Sequence, residues 1–526
     1  LEQSKQPIRT GEPGKRPFWN RREARRYIFA PAFDFPSVTG ACAYRFTLVC
    51  EDGDTHVFTA NQPWAPLTPV WDKIPEGGLK ITVEGVDASG RSVGAPAELE
   101  IYRSPVFSGS YHEPLPISYA EAANNGLRAI FLQSKLQHWL LKGTPDPKFS
   151  LYCYAAKEMG AVIRGMVAYS KIAEDPEEAA NALKIARATA DFLIGISIPE
   201  GSALEHFPPV YWVNPDPDSA LPPFDFEEYK THRRKAEEGQ IHMIPNSVTL
   251  AGFGYMDLYD ATGESKYLDA ARRIARTFAN TQLNGGTWPL LTMVDTAEAN
   301  GPNLTIPTAI LIFLDRLKEK YGIAEFDATA RKAEQWLFEH SVQTFNWEAQ
   351  FEDIKPKEPY ENLGFEKATE MAYYLLAHPD AEGERIRLAE QLLLFVEDQF
   401  IVWEKPRQSW KQVVGDKFPQ RTIDHWITPG VIEQYISNQM VTRASTWVMI
   451  AYLEAYKATD KSIYLEKARA LANGLVVCQQ HHGGGEIPTY PQTIKNILWL
   501  NNSMYNSLSL LEVSKISKGN LSSGRG

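Results

Sequence analysis

Cysteine is scarce. Four occur in 526 residues, Cys42, Cys50, Cys153 and Cys478, and none stands at the spacing of a metal site. Cys42 and Cys50 share one strand-like run, and at about 3.3 Å per residue they would stand roughly 26 Å apart, beyond the reach of a bridge. His481 and His482 look like a ligand pair, but adjacent residues on a helix end point about 100° apart. The acidic run around Asp216 and Asp218 lacks the ordered ligand loop of a calcium site. No metal and no cofactor is therefore expected. No apolar run approaches the length of a membrane-spanning helix. A long basic run is also missing, and the formal net charge is −11, which argues against nucleic acid as a partner. That balance still leaves room for an anionic substrate held by a local cationic patch. The chain starts at Leu1 with neither Met nor an apolar targeting segment. The expectation from this is a mature form with its signal removed, secreted or periplasmic and monomeric.

What is present is core material and aromatic surplus. Hydrophobic residues make up 44% of the chain, enough for a large core, and many of the 13 Trp fall outside helical stripes. Such aromatics suit a groove that stacks on flat ligands such as sugar rings, or they pack under loops.

The texture changes along the chain. Residues 1–26 read as a polar, extended lead-in. Over 27–110, short β-rich runs such as CAYRFTLVC, HVFTA, LKITVEGVD and AELEIYR alternate with Pro and Gly clusters, the spacing of a small all-β sandwich. A hairpin is expected around Asp52-Gly53. This module resembles a fibronectin type III or immunoglobulin-like domain. From 111 to 518 the period is helical, and 519–526 reads as a flexible tail.

The helical part repeats a unit. NSVTLAGFGYMDLYDATGESKYLDAARRIARTFANTQLNGGTWP, from Asn246, is echoed by ASTWVMIAYLEAYKATDKSIYLEKARALANGLVVCQQHHGGGEIP, from Ala444. Each reads as helix, short turn, helix, long link. The pattern gives one helix at 119–141, five such pairs, and a last helix at 503–516 that can pair with the first and close a ring. Turns within pairs are short and polar, whereas the links 197–246, 284–305, 343–365, 401–442 and 481–502 are long. In a closed ring all links emerge on one face, so the site is expected at the mouth of that face, with the ring axis as its floor.

The links carry the candidate chemistry. The first holds His242 among acids and aromatics, and the second holds Trp288 after a glycine pair. The third clusters Glu348, Glu352, Asp353, Glu361 and Glu366 beside Trp347 and Phe351; carboxyls among aromatics are partly desolvated, which makes a usable general acid near neutrality. The fourth holds Arg421, Asp424, His425, Trp426, Glu433, Tyr435 and Arg443. The last holds Glu486, Tyr490, Trp499, Asn501 and Tyr505.

With its helix count and its repeated YLDAARRIARTFANTQLNGGTWP and YLEKARALANGLVVCQQHHGGGEIPT segments, the chain is similar to the six-hairpin, (α/α)6 glycosidase-like superfamily over about 111–518. A β-sandwich ahead of such a toroid resembles some endoglucanase-type hydrolases, although their DAGD-like motif is missing here. The resemblance implies a carbohydrate-active enzyme on a carbohydrate substrate, with a glycoside hydrolase, on a glycan that includes uronic acids, as first expectation. Hydrolysis requires two carboxyl groups flanking the bond. Asp353 or Glu352 on the third link and Asp424 or Glu433 on the fourth are the candidate pair, with Glu158 in reserve. Trp288, Trp347, Trp426 and Tyr435 would stack on sugars, Arg421 and Arg443 would hold a carboxylate, and His242 and Tyr490 would add contacts. A polysaccharide lyase taking a proton with Tyr435 or His425 is the alternative, and a non-catalytic glycan-binding protein is the third.

Overall fold

The computed structural model describes residues 7–8, 24–212, 220–231, 242–351, 357–407, 423–494 and 498–523. The first part is a sheet. β1 (Arg26–Tyr27), β2 (Ala32–Asp34), β3 (Ala43–Cys50), β4 (Thr55–Ala60), β5 (Trp64–Pro66), a turn of helix α1 (Thr68–Trp71), β6 (Gly77–Val86) and β7 (Ser92–Arg103) follow in order. One five-stranded sheet results, with order β1-β7-β6-β3-β4, and β2 pairs with β5 in a separate two-stranded ribbon. The expected sandwich is thus one full sheet with a ribbon, not two full sheets. Strand alternation makes the sheet: Tyr44, Phe46, Leu48 and Cys50 of β3 point inward, as do Leu79, Ile81 and Val83 of β6. Fully burying a side chain of this size contributes about 1.5–3 kcal/mol. Phe46 stacks on Phe58 at 4.8 Å and meets the edge of Phe35 at 6.0 Å. The hairpin at Asp52-Gly53 joins β3 to β4, with Gly53 at φ +93°. Cys42 and Cys50 are both free thiols.

The rest is helical. α2 (Tyr119–Phe131) and α3 (Ser134–Lys142) come first, then α4 (Ala155–Ile172), α5 (Pro176–Gly195), the short α6 (Phe226–Thr231), α7 (Pro245–Thr262), α8 (Ser265–Thr281), α9 (Thr308–Tyr321), α10 (Asp327–Leu337), α11 (Phe365–Ala377), α12 (Gly383–Phe400), α13 (Thr442–Thr459), α14 (Ser462–His481) and α15 (Leu500–Ser523). Their packing defines a ring. α4 packs on α7, α7 on α9, α9 on α11, α11 on α13, α13 on α15, and α15 on α4. Each inner helix also packs on an outer partner, namely α5, α8, α10, α12, α14 and α2 in the same order. The last helix therefore pairs with the first, and the ring closes as an (α/α)6 toroid.

The first expected helix is interrupted. α2 stops at Phe131, and Gln133 takes an extended backbone, with ψ 145°, before α3 begins. No Gly or Pro marks this break. The freed carbonyl of Phe131 accepts a bond from Gln137 Nε2 at 2.7 Å, so the interruption costs little. Within the hairpins, α7 and α9 each end on a glycine in the left-handed region, Gly263 and Gly322, and Asp460 takes the same conformation after α13. α4 and α7 cross so closely that a Cβ at Gly160 would sit 2.7 Å from the carbonyl oxygen of Leu250.

The sheet is bonded to the ring at the end of α12. The amides of Ile28 and Phe29 both donate to Asp398 Oδ1 at 2.7 Å, and Arg26 donates to the carbonyl of Ile401 at 3.3 Å. Gln399 Nε2 donates to the carbonyl of Arg26, and its Oε1 accepts the Tyr435 hydroxyl at 2.7 Å. Small antiparallel pairs order the links: β8 (His242–Met243) with β9 (Thr292–Met293), and β10 (Ile401–Val402) with β11 (Gly430–Val431). No helix among the described residues is long and apolar enough to cross a membrane.

Candidate active site

Each inner helix starts on the face that carries the long links, and its hairpin turn lies on the other face. The helix starts surround a cavity of about 270 Å³. α4 contributes Lys157; α7 contributes Asn246, Ser247, Thr249, Leu250 and Phe253; α9 contributes Ala309 and Ile312. α11 adds Glu366, Lys367 and Glu370, α13 adds Arg443 and Trp447, and α15 adds Asn501 and Asn502. Three links complete the wall with Gln350 and Phe351, with Glu433, Gln434, Ser437, Gln439 and Val441, and with Thr489, Tyr490 and Trp499.

The acids gather on one side. Phe365 N donates to the carbonyl of Glu433 at 3.3 Å, so Glu433 and Glu366 stand at neighbouring points of the wall. Lys367 Nζ lies 3.0 Å from Glu370 and 3.4 Å from Glu366. Burial pushes the Glu370 carboxyl up, and Lys367 opposes that shift. The Thr308 hydroxyl, from α9, donates to the same oxygen of Glu370. Arg443 Nη2 reaches within 4.0 Å of Glu366, and its guanidinium lies 5.2 Å over the Tyr505 ring.

Beneath Lys157 sits Glu158, fully buried. Its Oε2 accepts the amide of Asn501 at 3.2 Å, and its Oε1 has no hydrogen-bond partner among the described residues. Burial pushes this carboxyl up to about 7, against the pull of Lys157, the Asn501 amide, Arg443 and Lys135. Glu348, on the third link, is also raised to about 7 by burial. Lys157 lies 4.5 Å over the ring of Tyr154 and 4.6 Å over that of Trp499. Among the described residues no group of His, Cys, Asp and Glu is arranged to hold a metal ion.

Several solved structures align with much of the chain. A family 76 glycoside hydrolase from a bovine Bacteroides thetaiotaomicron strain aligns with 94% of this chain and 97% of its own, at 11% identity and a TM-score of 0.47. Cellobiose 2-epimerase from Spirochaeta thermophila aligns with 76% of this chain and 98% of its own, at 13% identity and a TM-score of 0.49. An unsaturated glucuronyl hydrolase specific for heparin does so over 76% of this chain and 98% of its own, at 11% identity and a TM-score of 0.44. No family model matches the sequence, and no curated protein matches it either.

Of the residues singled out in the sequence, the cavity brings together Glu433, Arg443 and Tyr490, with Glu158 directly below. Glu366, Trp499 and Asn501 join them. Glu352, Asp353 and Arg421 lie outside the described residues, and His242 is described only as backbone in β8.

Several candidates lie elsewhere. Asp424 is exposed on a helical turn, and its neighbour His425 makes a 3.3 Å contact from Nδ1 to Thr493 Oγ1. Neither lines the cavity. Tyr435 stacks on Phe400 at 5.4 Å and binds Gln399. Trp288, Trp347 and Trp426 are core residues, not stacking platforms: each is at most 4% exposed, and the Trp288 indole donates to the carbonyl of Phe278. A link that folds back over its own hairpin buries its largest side chain first, because that side chain gains most from leaving water. The aromatics facing the cavity are Phe253, Phe351, Trp447, Tyr490 and Trp499.

Lys157, Lys367, Glu370, Asn246 and Trp447 had no place in the sequence expectation for the site. They occupy the first two turns of inner helices, where, Trp447 apart, charged or amide side chains interrupt an otherwise apolar run. That interruption was the available signal.

Proposed function

We propose that this chain is a carbohydrate-active enzyme, a glycoside hydrolase whose reaction centre is the cavity at the starts of the inner helices. One observation carries the reading: Glu366, Glu370 and Glu433 enter the same cavity as the rings of Phe351, Trp447, Tyr490 and Trp499. A sugar presents apolar ring faces and a rim of hydroxyls. Flat side chains receive the faces, while carboxylates and amides receive the rim. Asn246, Gln350, Gln434, Gln439 and Asn502 supply amides in the same wall.

Cleaving a glycosidic bond takes one carboxyl to protonate the departing oxygen and a second to attack the anomeric carbon or activate a water. Glu433 and Glu366 are assigned as this pair, since they occupy adjacent wall positions on a link and a helix start. Glu370 is bonded to Lys367 and Thr308, so its role is to fix Lys367 beside Glu366. Glu158, held up to about 7 by burial, is a reserve proton donor below Lys157. The proton-abstraction alternative through His425 or Tyr435 gains no support, because neither lines the cavity.

The test is a panel of plant, algal and animal glycans, read for new reducing ends and for ultraviolet absorbance. The expectation is reducing ends without absorbance, and a loss of about 10²–10⁴-fold in kcat for Glu433→Gln and for Glu366→Gln at unchanged Tm. Absorbing, unsaturated product would assign a lyase, and full activity in both variants would remove the proposed pair.

A further inference from the structure

We infer that Asn362, which lies behind the cavity wall, is a positioning residue that fixes Gln434 as a hydrogen-bond donor to a sugar hydroxyl, with Gln439 as the acceptor for a second hydroxyl. This rests on the reading of the cavity as a sugar site and names the groups that select the sugar beside Glu433.

Glu433 stands on a small hairpin. Its amide donates to the carbonyl of Gln439 at 2.9 Å, the amide of Asn438 donates to the carbonyl of Gln434 at 3.0 Å, and Ile432 bridges to Met440. One arm of the hairpin is bonded to the segment that leads into α11. Tyr435 N donates to the carbonyl of Leu363 at 3.1 Å, and Gln434 bridges to Gly364. Gln434 is thus the chain neighbour of Glu433 and Gln439 its partner across the hairpin, and all three line the cavity.

The direction of the Gln434 amide follows from Asn362. That residue is 1% exposed and does not line the cavity. Its Oδ1 accepts the amide of Ile436 at 3.0 Å. A backbone N–H only donates, so the other end of the Asn362 side chain is its NH2 group. That group donates to Gln434 Oε1 at 2.7 Å. Gln434 therefore spends its acceptor on Asn362 and keeps its own NH2 group. Nε2 of Gln434 makes no hydrogen bond among the described residues and is not closed to solvent, although the residue is 2% exposed.

Gln439 has the opposite polarity. Its Nε2 donates to the carbonyl of Met440 at 3.2 Å, which leaves Oε1 as the end without a partner among the described residues, and that atom too is not closed to solvent. Gln350 differs from both, because its Oε1 accepts the amide of Ile306 and its Nε2 donates to the carbonyl of Leu304. One fixed donor and one fixed acceptor on the hairpin that carries Glu433 match two hydroxyls of one sugar ring, since a hydroxyl both gives and receives. A nearly buried polar pair of this kind discriminates by being left unpaired when a ligand lacks the counterpart.

The experiment inverts the donor without emptying its place. Asn362→Asp keeps an oxygen for the amide of Ile436 and offers a second oxygen to Gln434, which turns the Gln434 amide so that Oε1 faces the cavity. Gln434→Glu keeps the bond from Asn362 and presents an oxygen to the cavity directly. Steady-state kinetics on the full chain are read at each variant's own pH optimum, with the glycan of the panel that the parent cleaves fastest. Methyl glycosides of glucose, mannose and galactose are titrated in parallel by calorimetry. Both variants are expected to raise KM about tenfold with kcat within about threefold, and to weaken the best-bound methyl glycoside about tenfold. A purely structural Asn362 would lower Tm and leave KM and glycoside affinity unchanged, which overturns the inference. Gln434→Glu keeps the falsifying power if Asn362→Asp fails to fold, and unchanged KM and affinity in Gln434→Glu overturn the inference whatever Asn362→Asp does. Weakened glycoside binding in the variants without cleavage of any glycan supports the inference and removes the hydrolase reading. Cleavage with unchanged KM in both variants removes the inference and leaves the hydrolase reading standing. No glycoside bound and no glycan cleaved by the parent removes both.

Discussion

Lys367 and Glu370, three residues apart on α11, form an ion pair of 3.0 Å in which both side chains are 4% exposed. At that depth neither charge is screened by water, so removing Lys367 takes away the cation that faces Glu370. Lys367→Met is expected to destabilise the protein by about 3–5 kcal/mol, measured as a fall in the denaturant midpoint. Thr308→Val, which removes one donor to Glu370, is expected to cost about 1–3 kcal/mol. A Lys367→Met protein as stable as the parent would show that the pair is solvated and that the first turn of α11 is open to water.

Two tryptophans separate core from site. Trp288 is buried and hydrogen-bonded to Phe278, whereas Trp447 lines the cavity. Trp288→Ala should cost about 3–5 kcal/mol of stability and leave KM for any processed glycan unchanged in the fraction that remains folded. Trp447→Ala should do the reverse, raising KM about 2–10-fold through a lost stacking face with a small change in Tm. Thermal melts and steady-state kinetics on the two variants read this directly, and an interchange of the two effects would relocate the sugar-binding surface.

Stability should fall as pH rises through the weakly acidic range. Glu158, Glu348 and Asp398 are buried carboxyls, raised from ordinary values of 4.5, 4.5 and 3.8 to about 7 by desolvation. The folded state therefore holds protons that the unfolded state has already released between about pH 4 and 7. Their contribution is complete below about pH 4 and is lost as pH climbs through 7, with a slope of up to about 1.4 kcal/mol per pH unit for each proton held. Denaturant midpoints from pH 4.5 to 8 check the sign. Asp398→Asn, which keeps an oxygen for the amides of Ile28 and Phe29, should flatten the slope. A midpoint that rises steadily across the range would show these groups to be ionised in the fold.

The ring was legible because its unit is repeated and its period is regular. The hairpin turns, such as that at Gly263, could be read from polar residues between two apolar stripes. The break between Phe131 and Ser134 could not, since the apolar period runs through it and the bond from Gln137 compensates locally. The β part read as two layers because strand alternation shows that one face is covered without saying what covers it; here the β2–β5 ribbon shares that work.

The site was legible only in part for a related reason. A link can be recognised as long, but its composition does not say whether a side chain turns toward the axis or back onto its own hairpin. Trp288 and Trp347 turned back, and Glu433 and Tyr490 turned in. Inner helices are apolar on nearly every side, so the few polar residues of their first two turns, Lys157, Lys367 and Glu370 among them, read as ends of helices and not as a wall.

The closure of α15 against α2 and α4 has a consequence for biosynthesis. Chains emerge from the ribosome amino end first, and the segment Leu500–Ser523 that seats between α4 and α13 is the last helix of the ring to appear. Until it docks, the flanks of α4 and α13 that it covers face water. The pocket wall between α4 and α13 is therefore complete only once this segment is in place.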